Sequence, residues 1–238
     1  MGGTPSNVQL LDWLAVWFRD DARGSLKKLH RLIVTSATWK QAVASNPHAL
    51  QIDSENRLLW RANRRRLDAE IFRDQALQLS GRLDLRMGGP GVEQFSANEG
   101  IQNTPFLDYG GFDWNSPAAK RRSLYRVVWR GIPDPFMEAM DFPDLGLLSA
   151  NREFSASPLQ SLTLFNDNFV LAASQWLAAR VEHEEQTMED RVRRAVQLIF
   201  LREPATDELH DLSSYANAHG LAALCRVLLN SNEFLFVD

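Results

Sequence analysis

The sequence predicts a mainly α protein: a multi-helix single domain with a long ordered loop and at most minor β structure. Three observations carry that expectation. Apolar residues recur at three- and four-residue steps in successive segments, the period of a one-sided helix. Helix-start signatures precede several of them, most plainly Ser157-Pro158-Leu159-Gln160, with a serine cap, proline at the first position and glutamine at the third. Glycine and proline gather instead in the middle of the chain, where no period is sustained. The 238 residues are taken as one domain: a helical half over 1–87, a loop over 88–120 and a second helical half over 121–238.

In chain order, Ser6-Asn7 offers a cap for a helix carrying Leu10, Leu11, Leu14, Trp17 and Phe18 and ending near Asp20. Asp21-Ala22-Arg23-Gly24 reads as a turn. Ser25 caps a second helix, with Leu26, Leu29, Ile33 and Val34 on one face, Lys27, Lys28 and Arg31 on the other, and His30 at the edge of the stripe. Residues 36–54 are mixed, with Asn46-Pro47 as a breaker and Trp39 expected to plug a gap between helices. Glu55 to Trp60 reads as a short helical turn. The central helix is expected over Asn63 to Gly81, with Leu67, Ile71, Phe72, Ala76, Leu79 and Leu83 inside, ended by Met87-Gly88-Gly89-Pro90-Gly91. Val92 to Pro117 has no sustained period. It is expected to lie over the helices, anchored by Phe95, Phe106, Tyr109, Phe112 and Trp114.

Ser123 to Arg130 alternates, consistent with an extended segment or a short helix. Ile132-Pro133-Asp134-Pro135 breaks it, and 136–143 is expected to be irregular. From the Ser157 cap one face continues through Leu162, Phe165, Phe169 and Ala173 to about Glu182, followed by an acidic solvated stretch to Asp190. Arg191 to Leu201 is a helix stopped by Pro204. Thr206 caps the next, with Asp207 and Glu208 at its positive end. A last helix spans Leu221 to Leu229, and Phe234-Leu235-Phe236-Val237 docks the tail.

Composition excludes several function classes. A net charge of −4, with 45 % hydrophobic and 24 % charged residues, gives no general attraction to nucleic acid or an anionic membrane. No run approaches the roughly 18 apolar residues that span a bilayer. The start, Met-Gly-Gly-Thr-Pro-Ser-Asn, lacks the basic and apolar parts of a signal peptide. The single cysteine, Cys225, lies among aliphatics and reads as a small buried hydrophobe. Without Cys-x-x-Cys-His, covalent haem attachment is excluded, and no cofactor is expected in this chain. The histidines 30, 48, 183, 210 and 219 are scattered, so no metal site is expected. Neither Gly-x-x-x-x-Gly-Lys-Ser/Thr nor Gly-x-Ser-x-Gly occurs. Most of the seven tryptophans fall on apolar stripes and read as core.

Chemistry, if present, is expected around the central helix. Arg64–Asp68, Arg66–Glu70 and Glu70–Arg73 are spaced to pair. Glu70 and Asp74 stand four apart on one face. Two close carboxylates raise each other's pKa, as a general acid requires, and can also hold a divalent cation. Against this stands neutralisation by Arg64, Arg65, Arg66 and Arg73, which would make the same residues a structural network. Arg121-Arg122-Ser123-Leu124-Tyr125 with Arg130 forms a second group, and Asn151-Arg152 with Ser155, Ser157 and Gln160 a third. Arg152, before a helix N-terminus, can gather an anion there, or pair with a carboxylate such as Asp141 or Asp74. The candidate catalytic residues are therefore Glu70 and Asp74. The candidate polar cluster or ligand site is Asp68, Arg73, Arg122, Tyr125, Arg152 and Gln160.

Several ordered motifs resemble one family. They are Leu10-Leu11-Asp12-Trp13-Leu14-Ala15, Leu29-His30-Arg31-Leu32-Ile33-Val34-Thr35-Ser36-Ala37, Arg66-Leu67-Asp68-Ala69-Glu70 and Arg73-Asp74-Gln75-Ala76-Leu77, then Gly88-Gly89-Pro90, Arg121-Arg122-Ser123-Leu124-Tyr125, Ser157-Pro158-Leu159-Gln160-Ser161-Leu162, Asn166-Asp167 and Leu229-Asn230-Ser231-Asn232-Glu233-Phe234. Over nearly the whole chain they resemble the planctomycete PSD family, domain of unknown function 1553. Its members stand at the C-terminus of large exported proteins that often carry a cytochrome c domain. The resemblance implies a helical module of an exported bacterial protein, periplasmic or extracellular; the absence of a complete catalytic motif and the balance of arginines and carboxylates then favour a structural or interaction role beside other domains of its parent, a cytochrome c domain among them. It implies no reaction. The alternative is a hydrolase acting on polysaccharide or sulfated glycan through Glu70 and Asp74. Family members have more sequence before Leu-Leu-Asp-Trp, which suggests an N-terminal truncation. The family's Ser/Thr-Thr-Pro-Leu-Gln pattern here reads Ser155-Ala156-Ser157-Pro158-Leu159-Gln160, which keeps the cap.

Overall fold

The computed structural model describes residues 4–98, 100, 104–146, 152, 154, 155 and 157–237. Of the residues named above, Asn151 and Ala156 lie outside them. The chain divides into two compact units, one of residues up to 65 with the extreme C-terminus, the other Arg66–Phe236.

The first unit holds α1 (Val8–Asp20), α2 (Leu26–Thr35) and α3 (Pro47–Ile52). The side chain of Asn7 accepts from Leu10 N, and that of Ser25 from Lys28 N, so both expected caps form. Asn46-Pro47 starts a helix rather than breaking one. The asparagine side chain accepts from His48 N and Ala49 N, and proline takes the first position, where its missing N–H costs nothing. Residues 55–60 form turns instead of a helical turn, with Asn56 and Leu59 at positive φ and the Asp53 carboxylate taking the N–H groups of Arg57 and Leu58. Among the described residues of this unit only Ala22 and Asn56 are buried. Several apolar residues of α1 and α2 stand in the open, with Trp13 52 % exposed and Leu26 61 %, whereas Leu14, Trp17, Phe18, Leu29 and Leu32 are half-buried. Trp39, expected to fill a gap, is also exposed, because this unit has no core to receive it.

The second unit carries the core. After β1 (Arg65–Arg66), α4 covers Ala69–Leu79, shorter at both ends than the expected central helix. The arginines before it are extended, and Leu67 N–H donates to Leu235 O at 2.7 Å. The helix stops at Gly81 (φ 70°), where Gly81 N bonds Gln78 O and Arg82 N bonds Leu77 O. That paired closure needs a left-handed residue, which glycine adopts without strain, and it ends the helix before the Gly88-Gly89 pair is reached. Phe72 and Ala76 are buried as expected and Leu77 is buried as well, but Ile71 faces out and Arg73 faces in.

The expected loop contains a short antiparallel hairpin, β2 (Ser96–Asn98) with β3 (Phe106–Asp108), in register Ser96 to Asp108. Its aromatics anchor unevenly. Phe95 is buried edge-on to Tyr109, and Trp114 packs on Phe169, whereas Phe106 is exposed. Both readings of residues 123–130 hold in part: Ser123–Tyr125 is a 3-10 turn, then Val127 N bonds Val92 O as extended chain.

Segment 136–143 contains α5 (Pro135–Ala139), capped by Asp134 through Met137 N. The capping box of α6 (Pro158–Asn166) forms as expected. The face then breaks at Asp167, which caps α7 (Asn168–Glu184) by accepting from Phe169 N. Next come α8 (Met188–Phe200), α9 (Thr206–His219), α10 (Leu221–Leu229), α11 (Asn232–Leu235) and β4 (Phe236–Val237). Thr206 is the first residue of α9 rather than its cap. The Glu208 carboxylate instead accepts from Ala205 N. Helix α7 is the spine: α4, α6, α8 and α10 pack on it, and α9 packs on α8 and α10. Phe72, Phe169, Leu177, Val181, Val196 and Leu224 form one continuous buried cluster. The chain is thus mainly α, with two small two-stranded sheets among the described residues.

Candidate functional site

Three ionic groups surround α4, and they are not the ones helical spacing suggests. Glu70 lies in its first turn, and both its oxygens accept from Arg152, Oε2 from Nη1 at 2.8 Å and Oε1 from Nη2. Arg152 also approaches Asp68 at 3.5 Å. Asp68 occupies the cap position of α4, yet its side chain makes no cap bond. Burial raises the Glu70 carboxyl, but the bond to Arg152 and its charge outweigh this, and its pKa lies below the ordinary value.

One turn on, Asp74 Oδ1 accepts from Ser123 N and Ser123 Oγ, both at 2.7 Å, and from Arg73 Nη1 at 3.3 Å. Arg122 reaches its other oxygen at 4.0 Å. Arg73 is 1 % exposed. It donates to Arg121 O at 2.9 Å and Ala119 O at 2.8 Å, pinning the far end of the long loop to α4. Burial, then the charge of Arg126, lowers its pKa, opposed by Asp74. Tyr125 turns away from this group: its hydroxyl accepts from Gly88 N at 2.7 Å, and its ring lies 4.0 Å under the Arg121 guanidinium.

The third group centres on Asp141, which is left-handed at φ 60°. Its carboxylate accepts from Arg66 Nη2 (2.7 Å), Ser155 N (2.7 Å), Ser155 Oγ (2.8 Å) and Gln160 Nε2 (3.0 Å). Burial raises its pKa, and the Ser155 and Arg66 bonds more than reverse this. Gln160 thus serves Asp141, while Arg152 serves Glu70. The candidates Asp68, Glu70 and Arg152 come together, as do Arg73, Asp74 and Arg122. Tyr125 and Gln160 belong elsewhere.

Sequence spacing missed a further constellation. A cavity of about 220 Å³ opens beside Arg73, between the start of α7 and α5. Tyr109, Trp114, Phe136 and Phe169 give it aromatic walls, and Arg126, Asp134 and Asp167 give it charge. Arg126 pairs with Asp134 and donates from Nε to Gln94 Oε1 at 2.8 Å. A second cavity of about 270 Å³ shares Arg126 and Asp134 in its lining, with Trp129 and Phe142 among its other walls. Burial, helped by the charge of Asp134 and opposed by the N–H groups of Phe169 and Val170, raises the Asp167 carboxyl to about 6. Burial and Asp134 also raise the phenol of Tyr109. Two signals pointed here: Asp134-Pro135 is a helix-start pair, and Asp167 falls in the Asn166-Asp167 motif.

Cys225 is fully buried, and burial pushes its thiol up to about 12. Among the described residues, no helix is long and apolar enough to cross a membrane.

A family model described as PSD1, protein of unknown function (DUF1553), matches residues 1–216, and the chain belongs to that family. No curated protein and no solved structure matches it.

Proposed function

We propose that this member of the DUF1553 family is a non-catalytic interaction module that docks other domains of an exported bacterial parent protein, a cytochrome c domain among them. The observation that carries the reading is the exposure of α1 and α2. Leu10, Leu11, Trp13 and Val16 of one helix, and Leu26, Ile33 and Val34 of the other, stand open to solvent. Scattered exposed apolar residues are ordinary, but seven on two short helices are the composition of a covered surface. Lys27, Lys28 and Arg31 flank the α2 stripe and suit an acidic rim on the partner.

The α4 carboxylates fit this reading better than the hydrolytic one. A general acid needs a raised pKa and a free proton-bearing oxygen. Glu70 has a lowered pKa and both oxygens bonded to Arg152, and Asp74 is engaged by Ser123, Arg73 and Arg122.

The test is titration calorimetry of residues 1–238 against the upstream domains of the same parent, each produced separately. Saturable binding is expected, weakened at least about tenfold by Leu11→Asp with Trp13→Asp, as for removal of an interface centre. If no upstream domain binds at any salt concentration, or if the double variant binds as well as the parent sequence, the reading fails.

A further inference from the structure

We propose that the cavity between the start of α7 and α5 binds a neutral, hydroxyl-bearing small molecule the size of a monosaccharide. The site is independent of the docking surface on α1 and α2.

Its size comes first. About 220 Å³ is below the volume that receives a drug-sized ligand, but ample for about a dozen non-hydrogen atoms. Its walls come next. Phe169 lies at the centre of an aromatic group, with Trp114 at 5.3 Å and Phe136 at 5.9 Å between ring centroids. Such faces suit C–H-bearing ring surfaces.

The polar groups then narrow the chemistry. The indole N–H of Trp114 is buried and has no acceptor among the described residues, and Arg73, also on the wall, likewise has a buried Nε–H without one among them. A buried donor left unpaired is costly, so an acceptor supplied by a ligand is favoured here. Asp167 offers the opposite function. Its partners are the amide N–H groups of Phe169 and Val170 rather than a cation. A hydroxyl both accepts from an indole N–H and donates to a carboxylate, so one substituent type answers both walls.

Charge decides against an ion. Arg73 and Arg126 on the wall balance Asp134 and Asp167, so the lining carries no net charge. Arg126 and Asp134 are already bound to each other. An ammonium ligand would meet two guanidiniums, and an anion would meet two carboxylates. A polyol meets neither penalty.

The test uses the whole chain labelled with nitrogen-15. The Trp114 indole N–H signal, identified by its loss in Trp114→Phe, is followed while glucose, galactose, mannose, xylose and N-acetylglucosamine are titrated singly. Methylammonium and glycine serve as the charged comparison. At least one sugar is expected to shift the Trp114 signal saturably. Asp167→Asn keeps a good helix cap and so preserves α7. It and Trp114→Phe are each expected to weaken that sugar at least about tenfold by calorimetry, the loss of one desolvated hydrogen bond. Asp167→Asn also decides the matter should Trp114→Phe fail to fold. The proposal is overturned if no sugar shifts the signal, if the variants that fold bind the sugar undiminished, or if methylammonium or glycine saturates the site and the sugars do not.

Discussion

The Glu70 carboxylate and the Arg152 guanidinium meet fork to fork, each Glu70 oxygen taking one Arg152 N–H. The two residues lie in different parts of the second unit, so the pair ties α4 to the segment that leads into α6. Both side chains keep partial access to water, 26 % and 32 % exposed, so the pair is worth less than a sealed one. Glu70→Gln is expected to lower unfolding free energy by about 1–2 kcal/mol, read as a shift of the urea midpoint at pH 7. Because the folded pKa is lowered from its ordinary 4.5, the contribution is present above that value and is lost as pH falls through the folded one. The difference between Gln variant and parent should therefore shrink in acid. A difference that stays constant down to pH 3 would contradict the assignment.

Asp141 should matter more. Arg66 is only 8 % exposed and depends on it. Asp141→Ala strands that guanidinium, releases Ser155 and Gln160, and places alanine at a left-handed position. The expected cost is about 3–5 kcal/mol. Asp141→Asn keeps the side-chain acceptor and tolerates the backbone, so it should cost clearly less. Equal losses in thermal unfolding would show that charge alone, not geometry, sets the effect.

Asp167 acts on stability in the other direction. Its pKa rises from 3.8 in an open chain to about 6 in the fold, under burial and the facing charge of Asp134, with Arg126 opposing. Between those values the folded chain keeps a proton that the unfolded chain has released, so stability falls as pH rises through the window. The separation converts to about 3 kcal/mol. Asp167→Asn should flatten this part of the stability–pH curve, measured by urea unfolding from pH 3.5 to 7.5. An unchanged slope would assign the proton uptake to another group.

The Cys225 thiol, pushed up to about 12 first by burial and then by the charge of Glu182, should be silent to a disulfide reagent at pH 8. One thiol per chain should appear on addition of denaturant. Rapid labelling of the native chain would mean that α10 opens without global unfolding.

Where local chemistry decides structure, the sequence was readable. Helix α10 falls on Leu221–Leu229 as expected, Asn7 and Ser25 cap α1 and α2, and the Ser157–Gln160 box closes α6. Where a distant partner decides, it was not. Charges at i and i+4 suggested a helix through Arg64–Arg66. The backbone is extended there, and Leu67 bonds to Leu235 near the end of the chain. Spacing likewise paired Arg66 with Glu70, whereas the fold gives Arg66 to Asp141 and Glu70 to Arg152. The aspartate caps Asp134 and Asp167 were legible in principle, because each stands directly before a helix start. Proline flanks and a continuing apolar face concealed them. Spacing along the chain could not assemble the cavity they border, since its lining comes from six separate stretches.

The bond from Leu67 to Leu235 places the beginning and the end of the second unit side by side. A body whose ends meet can be circularly permuted through a short linker, or inserted whole into a surface loop of another protein, without parting its core. Segment 66–236 is therefore the stretch to permute or insert as one piece.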